Sequence, residues 1–133
     1  LTGGILPDAQ RWAHRTGGAT SHRGRRAAIM RTMRTHDVRA GDTTLAVTEN
    51  GAGSPIVFLH AFPLGARMWT PQLAALPSGW RGIAPDLRGF GQSAGQAVAA
   101  RHVGDHAADV LALLDALAVG PVVLAGLSMG GYI

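Results

Sequence analysis

No cysteine occurs anywhere in the chain, so neither a disulfide framework nor a thiolate metal site is available to it. Lysine is missing too, and all 12 basic residues are arginine. The longest apolar stretches, such as Pro121 to Leu127, are far too short to cross a bilayer. Neither a phosphate-binding glycine loop nor a spacing of metal ligands is present, so no metal and no cofactor is expected. What the chain does have is 47% hydrophobic and only 15% charged residues. That balance describes a globular protein, and 133 residues allow one modest domain.

The formal charge of +4 suggests a binder of nucleic acid or of an anionic surface. Its distribution argues otherwise. Seven of the 12 arginines (Arg11, Arg15, Arg23, Arg25, Arg26, Arg31 and Arg34) precede residue 35 and face only Asp8. The remainder has more acids than bases, so the basicity belongs to residues 1–34. Those residues lack helical or alternating periodicity and are expected to form a disordered extension, or sequence upstream of a start at Met30 or Met33. Trp12 alone interleaves with the arginines, which gives little stacking surface for single strands. No apolar core follows Arg25-Arg26, so an export signal is not expected and a cytoplasmic location is.

From residue 35 onward an ordered pattern emerges, and 35–133 is expected to be the folded domain. His36–Arg39 and Thr44–Thr48 read as a β-hairpin around Ala40-Gly41-Asp42. Asn50 to Pro55 reads as a loop. Ile56–Leu59, Arg81–Ala84 and Val122–Ala125 are short apolar runs of the kind that form strands buried on both faces. Between them lie two helices. One spans about Ala66 to Leu76. The other has Asp105 as N-cap, buries Ala107, Val110, Leu111, Leu114 and Leu117 on one face, and stops at Gly120-Pro121. A hairpin followed by β-α-β-α-β implies an α/β fold, with a mainly parallel sheet and helices on both faces. The strand ending at Leu59 is expected to be central. The carboxyl ends of the Leu59 and Ala125 strands then form a topological switch point, where open α/β sheets bind ligands.

The chemistry concentrates at Gly126-Leu127-Ser128-Met129-Gly130, a G-x-S-x-G pentapeptide after an apolar strand. This spacing suits a sharp strand-to-helix turn that lifts the serine hydroxyl clear of the sheet. Glycines two residues to either side let the turn close without Cβ clashes. The pentapeptide alone is a weak signal in a chain with 19 glycines, and the preceding strand strengthens it. Two further segments, IVFLHAFP from Ile56 to Pro63 and PDLRGFGQS from Pro85 to Ser93, stand in order before it.

Together these three motifs resemble the α/β-hydrolase superfamily, over residues 37–133. The resemblance implies that the chain is the N-terminal half of an α/β-hydrolase sheet and that Ser128 is the nucleophile. It also implies an oxyanion hole made by the backbone N–H groups of Phe62 and Met129. His60 would brace the oxyanion loop, Gly126 and Gly130 would shape the elbow, and Asp86, Arg88, Gly89, Gly91 and Ser93 would shape the loop beside the active-site mouth. One residue departs from the family pattern: Ala61 stands where glycine is usual, which matters if that position needs φ > 0. A serine at 128 disfavours epoxide hydrolase and haloalkane dehalogenase activity, since relatives with those activities place aspartate there. The implied reaction is hydrolysis of a small carboxylic ester or lactone through an acyl-Ser128 intermediate.

The family order places the triad acid and histidine after the serine. Without them the chain is expected to be inactive. His102 and His106 are expected to be exposed at a helix start, at the end of the layer opposite the carboxyl edge of Ser128's strand. Asp109 and Asp115 are expected to be solvated helix positions. The expected partner is a small-molecule ester or lactone; metal, membrane and nucleic acid are not expected, and oligomeric state is left open. A reading from another class makes the chain a noncatalytic binding protein whose arginine-rich segment contacts nucleic acid or acidic partners.

Overall fold

The computed structural model describes residues 33–95, 100 and 102–133. The expectations for the basic segment therefore lie outside the described residues, apart from Arg34, which opens the first strand.

Five strands form one mixed sheet in the order β1-β2-β4-β3-β5. β1 (Arg34–Ala40) and β2 (Thr43–Gly51) are the antiparallel hairpin, with Val38 opposite Leu45. β2 also pairs antiparallel with β4 (Gly79–Pro85). β3 (Gly53–Leu59) runs parallel to β4 on one side and to β5 (Val123–Gly126) on the other. The expected class and the switch point beside β3 are both present. The segment 50–55 is not the expected loop: a single residue, Ala52, separates β2 from β3. Gly51 at φ 85° and Gly53 at φ 123° redirect the chain there within two peptides.

Alternation along the central strands divides the core into two layers. Val57, Leu59 and Ile83 face Val110 and Leu113 of α2 (Val103–Ala116). Phe58 and Ala84 face Leu73 of α1 (Thr70–Ala74) on the opposite side. Helices thus cover both faces.

The helix expected over 66–76 is split. Ala66–Trp69 is a 3-10 turn and only Thr70–Ala74 is α-helical. Pro71 explains the break, because it has no N–H to offer the Arg67 carbonyl four residues back. That carbonyl instead accepts the Thr70 hydroxyl at 2.8 Å.

α2 begins earlier than expected. Its N-cap is His102, and Asp105 is the third helical residue, whose carboxylate accepts the His102 N–H at 3.2 Å. Its buried face also differs: His106, Asp109, Val110 and Leu113 are buried, while Leu111 is 65% exposed. The helix closes in a Schellman motif. The Val119 N–H bonds to the Leu114 carbonyl at 3.2 Å, the Ala118 N–H to that of Asp115 at 3.0 Å, and Ala118 sits at φ 50°. β5, expected to be buried, is an edge strand among the described residues, with Val123 and Leu124 exposed.

Candidate active site

Ser128 lies between the end of β5 and α3 (Met129–Tyr132), with φ 52° and ψ −116°. A side chain in this backbone region is strained by of order 1–3 kcal/mol, and such strain clusters at functional positions. The turn is closed by bonds from Gly130 N–H to the Leu127 carbonyl at 3.0 Å and from Gly131 N–H to the Ser128 carbonyl at 2.8 Å. The two motif glycines are sterically required. A Cβ on Gly126 would run into the Gly130 carbonyl, and one on Gly130 into the Leu59 carbonyl. Gly130 thus allows the elbow to press directly against the end of β3.

That contact sets the height of the opposing loop. Leu59 is in register with Gly126, and the Leu127 N–H donates to the Leu59 carbonyl at 3.2 Å. Phe62 and Met129 each lie three residues beyond that register pair. Among the described residues neither of their N–H groups has a hydrogen-bond partner. Met129 is also the first residue of α3.

The Phe62 amide is oriented from behind by His60, which is fully buried. His60 Nε2 lies 3.0 Å from the Leu87 N–H, and Nδ1 lies 3.0 Å from the Ala61 carbonyl. A backbone N–H can only donate, so Nε2 accepts and the ring proton resides on Nδ1. The Ala61 carbonyl accepts a hydrogen bond from that Nδ1–H and a second from Leu64 N–H at 2.8 Å. Because that carbonyl and the Phe62 N–H share one planar trans peptide, fixing the first aims the second in the opposite direction. Burial lowers the His60 pKa below its ordinary value, against weaker opposing effects of the Ala61 hydrogen bond and the Asp86 charge. Ala61 is accommodated: its φ is not positive, and its N–H meets Met68 Sδ at 3.4 Å.

Asp86 ties the second loop to the first. One carboxylate oxygen accepts the Ala66 N–H at 2.6 Å and the other the Gln92 N–H at 2.9 Å. Ser93 is fully buried; its hydroxyl donates to the Asp86 carbonyl at 2.8 Å and accepts the Ala46 N–H at 2.9 Å. Gly91, at φ 50°, packs so closely on the Asp86 carboxylate that no Cβ fits. Gly89 needs its glycine for backbone conformation, at φ 84°. An open cleft of about 390 Å³ has Asp86 in its wall between Pro63–Arg67 and Gly91–Gln92. Neither Ser128 nor the two free amides line it.

Two expectations about α2 are corrected here. Asp109 is not solvated but 3% exposed, with its oxygens 2.9 and 2.5 Å from Nε and Nη2 of Arg88. His106 is also buried, and it does not lie at the far end of the layer. A helix that returns antiparallel to its strands begins at their carboxyl edge. His106 accordingly packs 5.9 Å from Phe90, whose ring meets His60 at 5.3 Å and Phe62 at 5.8 Å. Burial lowers the His106 pKa as well. His102 is exposed, as expected. No metal-ligating cluster exists among the described residues, and no described helix is long and apolar enough to cross a membrane.

Residues 54–133 match the sequence profile of the alpha/beta hydrolase fold. The chain belongs to that family. An epoxide hydrolase of Caballeronia sordidicola is 39% identical over 100 residues, covering 74% of this chain and 30% of that protein. A 3-oxoadipate enol-lactonase of Acinetobacter baylyi is 40% identical over 91 residues, covering 66% and 33%. The crystal structure of an epoxide hydrolase from Vigna radiata superposes with a TM-score of 0.65 at 33% identity, covering 75% of this chain and 33% of that one. This alpha/beta hydrolase chain thus spans about a third of the length of these relatives.

Proposed function

We propose that the protein to which this chain belongs hydrolyses a carboxylic ester or lactone through an acyl-Ser128 intermediate. The observation that carries this reading is the strained Ser128 at the end of β5, at one register level with the amides of Phe62 and Met129, which have no partner among the described residues. Ser128 Oγ adds to the carbonyl carbon while its proton passes to a general base. The carbonyl oxygen becomes an oxyanion that accepts hydrogen bonds from the two amides. Collapse expels the alcohol or enol oxygen, which takes up the proton. Water then adds to the acyl-enzyme by the same route, releasing the acid and restoring Ser128.

The serine favours this chemistry over epoxide opening, given the aspartate that the superfamily resemblance implies for epoxide hydrolases. The similarity to an enol-lactonase agrees with it. Neither buried histidine suits the role of base. Both ring nitrogens of His60 are engaged with backbone, and His106 is buried against Phe90. We therefore assign the base to the remainder of the whole protein, and expect the 133 residues alone to show no significant turnover. A fluorophosphonate probe tests the reading on the full-length enzyme, where a covalent adduct at Ser128 that disappears in Ser128→Ala is expected. No labelling, or labelling that survives the substitution, would sink it.

A further inference from the structure

The buried charge pair between the Asp86–Ser93 loop and α2 is the feature the proposed chemistry does not use. Arg88 is 8% exposed and Asp109 3%. Asp109 engages the guanidinium through two parallel bonds, while Arg88 Nη2 also reaches Asp42 Oδ1 at 2.7 Å. Hydrogen bonding to Asp109 raises the Arg88 pKa further, so the guanidinium stays charged. A buried pair of this kind gives little net stability over well-packed apolar residues, because both ions lose their hydration. Its position in the chain suggests a different use.

Arg88 directly follows Leu87, whose N–H is the donor to His60 Nε2. On the other side of Leu87, Asp86 is fixed by its N–H to the Ala46 carbonyl at 2.8 Å and by its carboxylate. The Leu87 amide is thus clamped between two anchored residues: Asp86 to the sheet and the oxyanion loop, Arg88 to α2. His106 lies one helical turn before Asp109 and supports the same place through Phe90, which contacts the His60 ring.

We infer that Asp109 is a positioning residue. By gripping Arg88 it holds the Leu87 amide on His60 Nε2, which keeps the His60 proton on Nδ1 and aims the Phe62 N–H. The last link rests on the reading of Phe62 as an oxyanion donor; the relay from Asp109 to His60 does not.

The test reads the relay by NMR in the intact protein, through the His60 tautomer and the hydrogen exchange of the Leu87 amide, with Val57 in the same sheet as reference. The wild type is expected to show one tautomer, protonated on Nδ1, and a slowly exchanging Leu87. In Asp109→Asn, Leu87 exchange is expected to accelerate about a hundredfold relative to Val57, with the two His60 tautomers mixed. Asp109→Glu restores the single tautomer. Should Asp109→Asn fail to fold, Arg88→Lys leaves a cation beside Asp109 but removes the fork, and is expected to accelerate Leu87 about tenfold relative to Val57. An unchanged tautomer and an unchanged Leu87-to-Val57 ratio in the variant that folds would overturn the proposal, as would equal acceleration of both amides. An intact relay in a protein that no fluorophosphonate labels would overturn the reading of the site and leave the relay standing.

Discussion

At the scale of single residues, the site depends on groups that cannot be exchanged for near neighbours. Gly130 and Gly131 are adjacent, yet only Gly130 meets the Leu59 backbone; the nearest atom to a Cβ on Gly131 is 3.8 Å away. Gly130→Ala is therefore expected to destabilise the fold by about 3 kcal/mol or more, and Gly131→Ala by less than about 0.5 kcal/mol. Urea denaturation of the two variants checks the contrast. His60 and His106 make a second residue-scale prediction. Both are held neutral by burial, with pKa values lowered from the ordinary 6.5. The unfolded chain therefore binds more protons than the folded one between the lowered values and 6.5. Stability is complete above 6.5 and falls as pH drops below it towards the folded-state pKa values. Denaturation midpoints that stay level between about pH 7.5 and pH 5 would contradict this.

At the scale of elements, α2 shows most clearly what could be read from the sequence and what could not. Its ends are set locally, ahead of both the expected Asp105 cap and the expected Gly120-Pro121 stop, while its existence follows from apolar spacing. Its inner face does not. Periodicity assigns Asp109 to solvent unless its partner is known, and that partner lies 21 residues earlier in a loop. The same blindness hid His106, which is buried because the Phe90 ring covers it. By contrast the elbow is legible from glycines whose spacing has a steric cause, whereas His60 and Asp86 stand out only through the family resemblance, since their partners Leu87 and Ala66 lie 27 and 20 residues away. Pro71 could have divided the helix expected over 66–76 on sequence grounds alone. The end of α2 also offers a prediction. Ala118 occupies the left-handed position of the Schellman motif, where glycine is free of Cβ strain. Ala118→Gly is expected to stabilise the fold by about 0.5–1 kcal/mol, seen as a raised Tm.

At the scale of the whole molecule, two core layers flank β3 and β4, while among the described residues β5 presents an open edge with Val123 at 47% and Leu124 at 57% exposure. Unpaired apolar edges recruit further strands. The 133-residue chain on its own is expected to self-associate in light scattering, and Leu124→Lys to reduce that association. Phe62, in the loop after β3, has a ring that is 67% exposed. Its amide is held by the main chain behind it, through a peptide plane that does not involve the ring. On the proposed function, orientation of the oxyanion and contact with the substrate would then fall to two separable parts of one residue. On that reading, a saturation library at position 62 of the full-length enzyme is expected to change KM between esters more than it changes the rate of acylation of Ser128, measured by stopped-flow kinetics.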